Sequence, residues 1–227
     1  MISIQDAELF KRLPHLNSYL HSKNLDKKFG YKIPKIEAKL LQKYKAYDNY
    51  SNEINRKNHY DDSQTWIGLH PNALQTPYND IFETLEILKK QKISNVVDIG
   101  CAYGRVGIVS HHIFPDAKFT GFEIVKNRAN EANRIFEKFG LENCKVVTAN
   151  ILDDEFILPE ADIYFIYDFS EIDDIKKVLL LILNKMKSKK FFLVVRGDRV
   201  NTVFKNQINL RKFQTDTLLD IYTVRPN

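Results

Sequence analysis

From Asn79 onward, apolar positions follow two alternating periods. Ile81, Phe82, Leu85 and Leu88 recur at helical spacing, which predicts a helix over 79–91 with Asn79 as N-cap. The β-branched run 93–99 then reads as a buried strand, followed by a helix over 104–114 and a strand over 117–123. A helix over 125–139 stops at Gly140. Strands over 144–149 and 161–167, a helix over 171–187 and a strand over 190–196 complete the series. Around Phe213 to Val224, alternating apolar and polar residues predict one or two antiparallel closing strands. Strands separated by helices imply the α/β class, a mostly parallel sheet with helices on both faces. Such sheets take ligands beyond the carboxyl ends of their strands.

The first 75 residues follow no such rhythm. They read as helices broken at Pro14, Gly30 and Pro34, with Pro34 opening a helix over 34–46. Their apolar residues (Phe10, Leu13, Leu16, Leu20, Phe29, Ile33, Leu40) are too few and too interrupted for a core of their own. They are expected to pack on the helices of the sheet. Residues 47–64, polar and rich in Asn and Tyr, predict a long loop or frayed helix. The division is therefore 1–75, a helical extension, and 76–227, the sheet domain.

The first strand runs into Asp98-Ile99-Gly100-Cys101-Ala102-Tyr103-Gly104. Small residues at 100, 102 and 104 allow a sharp turn and a close approach of ligand to main chain. The second strand ends at Glu123, whose carboxylate is suited to accept from two ribose hydroxyls. Ala102-x-Gly104-x-x-Gly107 also approximates a dinucleotide fingerprint. Against that reading, Asp98 aims an acid at the turn, where it would repel a pyrophosphate and welcome a cationic amino-acid moiety.

Composition narrows the classes. With 44% hydrophobic and 28% charged positions among 227 residues, a folded chain and not wholesale disorder is expected. The longest aliphatic run, Val178 to Leu183, is too short to span a bilayer, so no membrane role is expected. The start MISIQDAELF lacks the pattern of a secretory signal, and two cysteines make no disulfide framework. A cytoplasmic, reducing location is the expectation. The six histidines show no metal-ligand spacing, and adjacent His111 and His112 cannot converge on one ion, so no metal is expected. Residues 1–60 carry 12 Lys/Arg against 6 Asp/Glu. This basic arm reads either as a solvated surface or as a contact for nucleic acid or an acidic partner, and Tyr44, Tyr47, Tyr50 and Tyr60 read either as helix packing or as rings that stack bases.

The stretches VVDIGCAYG (96–104), GFEIV (121–125), VVTANILD (146–153) and ADIYFIYDFS (161–170) together resemble the class I S-adenosylmethionine-dependent methyltransferases. The resemblance covers roughly residues 76–225. It implies a Rossmann-like seven-stranded sheet, central first strand and antiparallel last strand, with S-adenosyl-L-methionine as cofactor. It places the methionine part and adenosine on Asp98, Gly100, Cys101, Ala102, Tyr103 and Gly104. By the same resemblance, Glu123 meets the ribose with Ile124 beside it in the cofactor site, Asn150 and Ile151 meet the adenine, and Tyr167 and Asp168 face the transferring methyl. Thr76-Pro77-Tyr78 would cover the methionine end, assigning Thr76 and Tyr78 to the cofactor; as a bare pattern it is also a helix-start turn. Ala102 in place of the middle glycine costs one methyl group of clearance. Asn150 replaces the commoner Asp and still offers an acceptor oxygen.

The function implied is methyl transfer to an undetermined acceptor, with a protein side chain or small molecule ahead of RNA. The Asn/Asp-Pro-Pro-Tyr signature of adenine methylation and the Pro-Cys pair of cytosine methylation are both absent. Asp168 is the candidate catalytic residue, as base, cation-orienting carboxylate or metal ligand, or merely a helix cap in competition with Ser170. His70, beside Trp66 and Pro71, reads either as a pocket-lining residue or as surface packing, and the 1–75 extension is read as the lid of the pocket. Alternatives are an RNA methyltransferase using the basic arm, a non-catalytic nucleoside-binding module, and a dinucleotide oxidoreductase.

Overall fold

Strands β1 (Asn95–Ile99), β2 (Lys118–Glu123), β3 (Cys144–Thr148), β4 (Ile163–Tyr167) and β5 (Phe191–Arg196) run parallel. A closing antiparallel pair, β6 (Leu210–Phe213) and β7 (Asp220–Val224), joins through β7 to β5. The order across this seven-stranded sheet is β3-β2-β1-β4-β5-β7-β6. The computed structural model describes residues 3–46, 65–187, 189–205, 207, 210–213 and 219–224. Residues 47–64, including Tyr47, Tyr50 and Tyr60, lie outside them.

Side chains alternate between faces along each strand. Val96, Ile163, Phe165, Phe192 and Val194 join one core cluster. Val97, Ile99, Tyr164, Ile166, Leu193 and Val195 join the other. Both faces are apolar because both are covered, as a parallel sheet requires. Helices α4 (Tyr78–Leu88), α5 (Arg105–Ile113) and α6 (Lys126–Lys138) contribute to the first cluster. Helices α7 (Ile172–Lys185) and α8 (Asp198–Lys205) contribute to the second. Each anticipated helix and strand of the 79–196 series is present, with ends within a few residues of those expected. Helix α8 was not anticipated. Its inward residues Val200, Val203 and Phe204 make a pattern too brief to read amid polar neighbours.

In the extension, Asn17 caps α1 (Ser18–Phe29) by accepting from the Tyr19 amide at 2.9 Å, and Gly30 ends it with φ +86°. Pro34 sits in the first turn of α2 (Ile33–Lys43). A short helix, α3 (Pro71–Leu74), precedes α4. Phe10 and Phe29 are fully buried in the same cluster as α4, α5 and α6, with ring centroids 5.5 and 5.7 Å from Tyr78. Burial of each such ring contributes about 2–3 kcal/mol. Leu13 and Leu20 stay exposed. Two buried ion pairs tie the extension to the sheet helices: Asp26 with Arg105, and Glu37 with Arg128. Among the described residues no helix is long and apolar enough to cross a membrane.

Candidate functional site

The chain leaves β1 through a turn in which every second residue, from 100 to 104, is left-handed. Gly100 has φ +72°, Ala102 φ +46° and Gly104 φ +73°. At Gly100 a Cβ would approach that of Phe169 to 3.2 Å, and at Gly104 one would meet the Phe136 ring at 2.8 Å. Ala102 holds a conformation that costs a side-chain-bearing residue about 1–3 kcal/mol. The turn is pinned over β2, because the amides of Gly100 and Cys101 both donate to the Phe122 carbonyl at 2.9 Å. The Ala102 amide donates to Glu123 Oε2 at 2.9 Å, and Val125 donates to Oε1 at 2.8 Å. The strained alanine is thus fastened by the acid that ends the next strand.

Beside this turn lies a cavity of about 470 Å³, in the range of small-molecule sites. The sheet order lays its floor out as an arc. Ala149, Asn150, Ile151 and Leu152 follow β3; Phe122, Glu123 and Ile124 end β2; Gly100 and Ala102 follow β1. Tyr167 and Asp168 end β4, and Arg196 and Gly197 end β5. Residues of the 65–76 segment form the roof. Trp66 Nε1 donates to the Phe169 carbonyl at 3.0 Å, closing the roof onto the β4 end. A narrow recess beside the cavity is lined by Gln75, Thr76, Asp98, Cys101 and Arg105 among others.

Buried polar groups concentrate here. Asp98 Oδ1 is buried with no hydrogen-bond partner among the described residues. Burial, and then the charge of Glu123, push the Asp98 carboxyl well above the usual carboxylate range. Glu123 is also pushed up by burial, against the opposing pull of Arg128 and the two amides. Gln75 is only 6% exposed, and neither its amide nitrogen nor its oxygen has a partner among the described residues. Buried polar atoms are ordinarily paired, so this corner is built to receive a group with both donors and acceptors. Burial raises the Tyr167 phenol, which keeps its proton at neutral pH.

Of the residues singled out from the sequence, Thr76, Gly100, Ala102, Glu123, Ile124, Asn150, Ile151, Tyr167 and Asp168 line the cavity. Asp98 and Cys101 line the recess. Gly104 stands behind them as the N-cap of α5. Tyr78 and Tyr103 do not reach the cavity: Tyr78 donates to Asp26 Oδ1 at 2.9 Å, and Tyr103 to Glu37 Oε1 at 2.5 Å. Both hydroxyls serve the extension. Asp168 accepts from the amides of Val200 at 2.8 Å and Arg199 at 3.2 Å, so it caps α8 rather than α7. Asn150 Oδ1 accepts from the Leu152 amide at 3.1 Å and keeps a second lone pair. Trp66 lines the cavity and His70 does not. Gln75, Arg128, Arg196 and Arg199 were missed. For Arg196 a signal existed: a charged residue ending an apolar strand, where this architecture binds ligands. Among the described residues no cluster of His, Cys, Asp or Glu is arranged to hold a metal, and both cysteines are free and buried.

A family model described as a methyltransferase domain matches residues 90–218, more than half of the chain. None of the curated protein sequences matches. Among solved structures, precorrin-6y C5,15-methyltransferase from Geobacter metallireducens GS-15 is similar with a TM-score of 0.54 and 16% identity, over 70% of this chain and 94% of that one. TrmN from Thermus thermophilus gives 0.53 and 11%, over 69% of this chain and 50% of that one. The mitomycin 7-O-methyltransferase MmcR gives 0.48 and 15%, over 66% of this chain and 55% of that one. The chain therefore spans about half the length of MmcR and of TrmN. At these identities the likeness to solved structures is one of fold.

Proposed function

The chain belongs to the methyltransferase-domain family, and from that premise we propose that its cavity takes S-adenosylmethionine and passes the methyl to an acceptor entering over the ends of β4 and β5. The observation that carries the reading is the placement of Asp98 and Glu123 on the two sides of a left-handed glycine-type turn. The unpartnered Asp98 oxygen suits an α-ammonium group, and the Gln75 amide suits the neighbouring carboxylate. Glu123, with one lone-pair side of each oxygen already used by an amide, is suited to a ribose diol. Asn150 stands over the β3 end for the base.

When bound, S-adenosylmethionine supplies an electrophilic methyl on a positively charged sulfur. The protein's own part is alignment and exclusion of water. The roof at 65–76 and the extension behind it support reading residues 1–75 as a lid on a 76–227 core. Asp168, both oxygens engaged by the start of α8, acts as a positioning residue for the β5–α8 connection and not as a base. Buried, unpaired Cys101 and Cys144 accord with a reducing, cytoplasmic location.

Calorimetry with S-adenosylhomocysteine and with NAD is the direct test. Binding of the former, with a raised melting temperature, supports the reading; a response to NAD alone overturns it. Incubating labelled cofactor with nuclease-treated and untreated lysate fractions then separates RNA from other acceptors. Tight binding with no transfer to any fraction would favour a non-catalytic module.

A further inference from the structure

At the acceptor end of the cavity stand two arginines, and their surroundings differ. Arg199 faces Glu171, at 3.8 Å, and lies over the Trp66 ring at 5.5 Å. Arg196 is half-buried and held by neutral groups: Nη1 donates to Thr76 Oγ1 at 3.0 Å and Nη2 to the Tyr19 hydroxyl at 2.9 Å. Among the described residues it forms no ion pair. Asp80 senses its charge but is itself bonded to Arg12 at 2.6 Å. The charge of Asp168 is directed to the α8 amides.

Hydroxyl groups orient a guanidinium without neutralising it. An arginine has five N–H donors in a rigid fork, and two of the five are used here. What remains is a positioned cation, drawn partly out of water, at the rim of a cavity where a carboxylate partner is missing. Neighbouring strands are about 4.8 Å apart, so the β5 end lies one strand beyond Tyr167 on the side away from β1. A group bound there lies on the β5 side of the cavity, across β4 from the turn at 100–104.

We propose that the acceptor is a small molecule bearing an oxyanion, a carboxylate or a phosphate, which Arg196 anchors next to the methyl-receiving atom. This rests on the methyl-transfer reading above. The half-buried position of Arg196, behind Thr76 and Tyr19 and under the 65–76 roof, suits a small acid better than the backbone of a nucleic-acid strand.

The test titrates benzoate, phenyl phosphate and neutral benzamide into the full chain, with and without saturating S-adenosylhomocysteine. An anion should bind about tenfold or more tighter than benzamide, the margin expected of a charge-assisted fork. The stronger of benzoate and phenyl phosphate names the anion. Arg196→Gln should erase this preference while still binding S-adenosylhomocysteine, and Arg196→Lys should keep part of it. A merely structural Arg196 would lower the melting temperature in both variants and leave anion and amide binding alike in the wild type. Equal binding of benzoate and benzamide, no binding of either anion at millimolar concentration, or stronger binding of a short RNA oligonucleotide would each overturn the proposal. Should Arg196→Gln fail to fold, the wild-type comparison and Arg196→Lys still decide. Failure of S-adenosylhomocysteine to bind would count against the methyl-transfer reading instead, and is read separately.

Discussion

Arg128 on α6 grips Glu37 on α2 through two hydrogen bonds, of 2.8 and 3.0 Å, with both side chains buried. The same guanidinium donates to the Thr65 carbonyl at 2.6 Å, lines the cavity and pulls on the charge of Glu123. One side chain thus joins the extension, the roof and the acid that ends β2. Replacing Glu37 by Ala would strand a buried cation and remove the acceptor of the Tyr103 hydroxyl. The expected loss is about 3–5 kcal/mol, read from urea unfolding, with a smaller loss for Glu37→Gln. A loss below 1 kcal/mol for the alanine variant would mean that the pair is solvated in solution.

Glu123→Gln keeps the side-chain volume and removes the charge. Affinity for S-adenosylhomocysteine should fall by about 1.5–3 kcal/mol, the usual worth of hydrogen bonds to a charged group, while the far-ultraviolet spectrum stays unchanged. Calorimetry checks this. Unaltered affinity would leave Glu123 with only its work of fastening Ala102 and Val125.

Asp98 trades stability for binding. Its folded-state pKa lies above its unfolded value, so the folded protein holds the proton more tightly. Stability of the free protein should therefore fall as pH rises from the ordinary carboxylate range up through the raised pKa, and stay low beyond it. Asp98→Asn should melt higher than wild type at neutral pH, with the difference shrinking in acid, and should bind S-adenosylhomocysteine more weakly. A melting temperature lowered at neutral pH would show that the carboxylate is paired in solution.

Tyr78→Phe should separate fold from site. Removing a buried hydroxyl that donates to Asp26 is expected to cost about 1.5–3 kcal/mol, measured by thermal unfolding, with cofactor affinity unchanged. A drop in affinity at equal stability would return Tyr78 to the cofactor.

Tyr78 and Tyr103 also show where reading the sequence stops. Each belongs to a stretch whose family pattern points at the cofactor, and Thr76 and Ala102 of the same stretches do line the cavity. Yet both rings are buried in the core shared with the extension, where Asp26 and Glu37 meet their hydroxyls from α1 and α2, more than fifty residues earlier in the chain. Nothing local distinguishes a tyrosine that covers a ligand from one that anchors an extension. Asp168 is similar. Its position at the end of β4 was legible, but its partners are the amides of a helix some thirty residues later, one whose inward face is only three residues wide.

The sequence by itself determined the parallel core, the turn at 100–104 and the acids on either side of it. Those depend on period, on glycine's conformational freedom and on spacing within one β–α–β unit, all of which are local. Tertiary structure alone decided which polar groups end up without partners. Asp98, Gln75 and Arg196 are ordinary letters in the chain. Their burial, and the absence among the described residues of an ion pair at Arg196 or a donor at Asp98 Oδ1, arise only when the ends of β1 and β5 and the 65–76 roof enclose the cavity and its recess. Desolvation is a property of that enclosure and not of any one segment, so the chemical demand of the site became visible only in the folded chain.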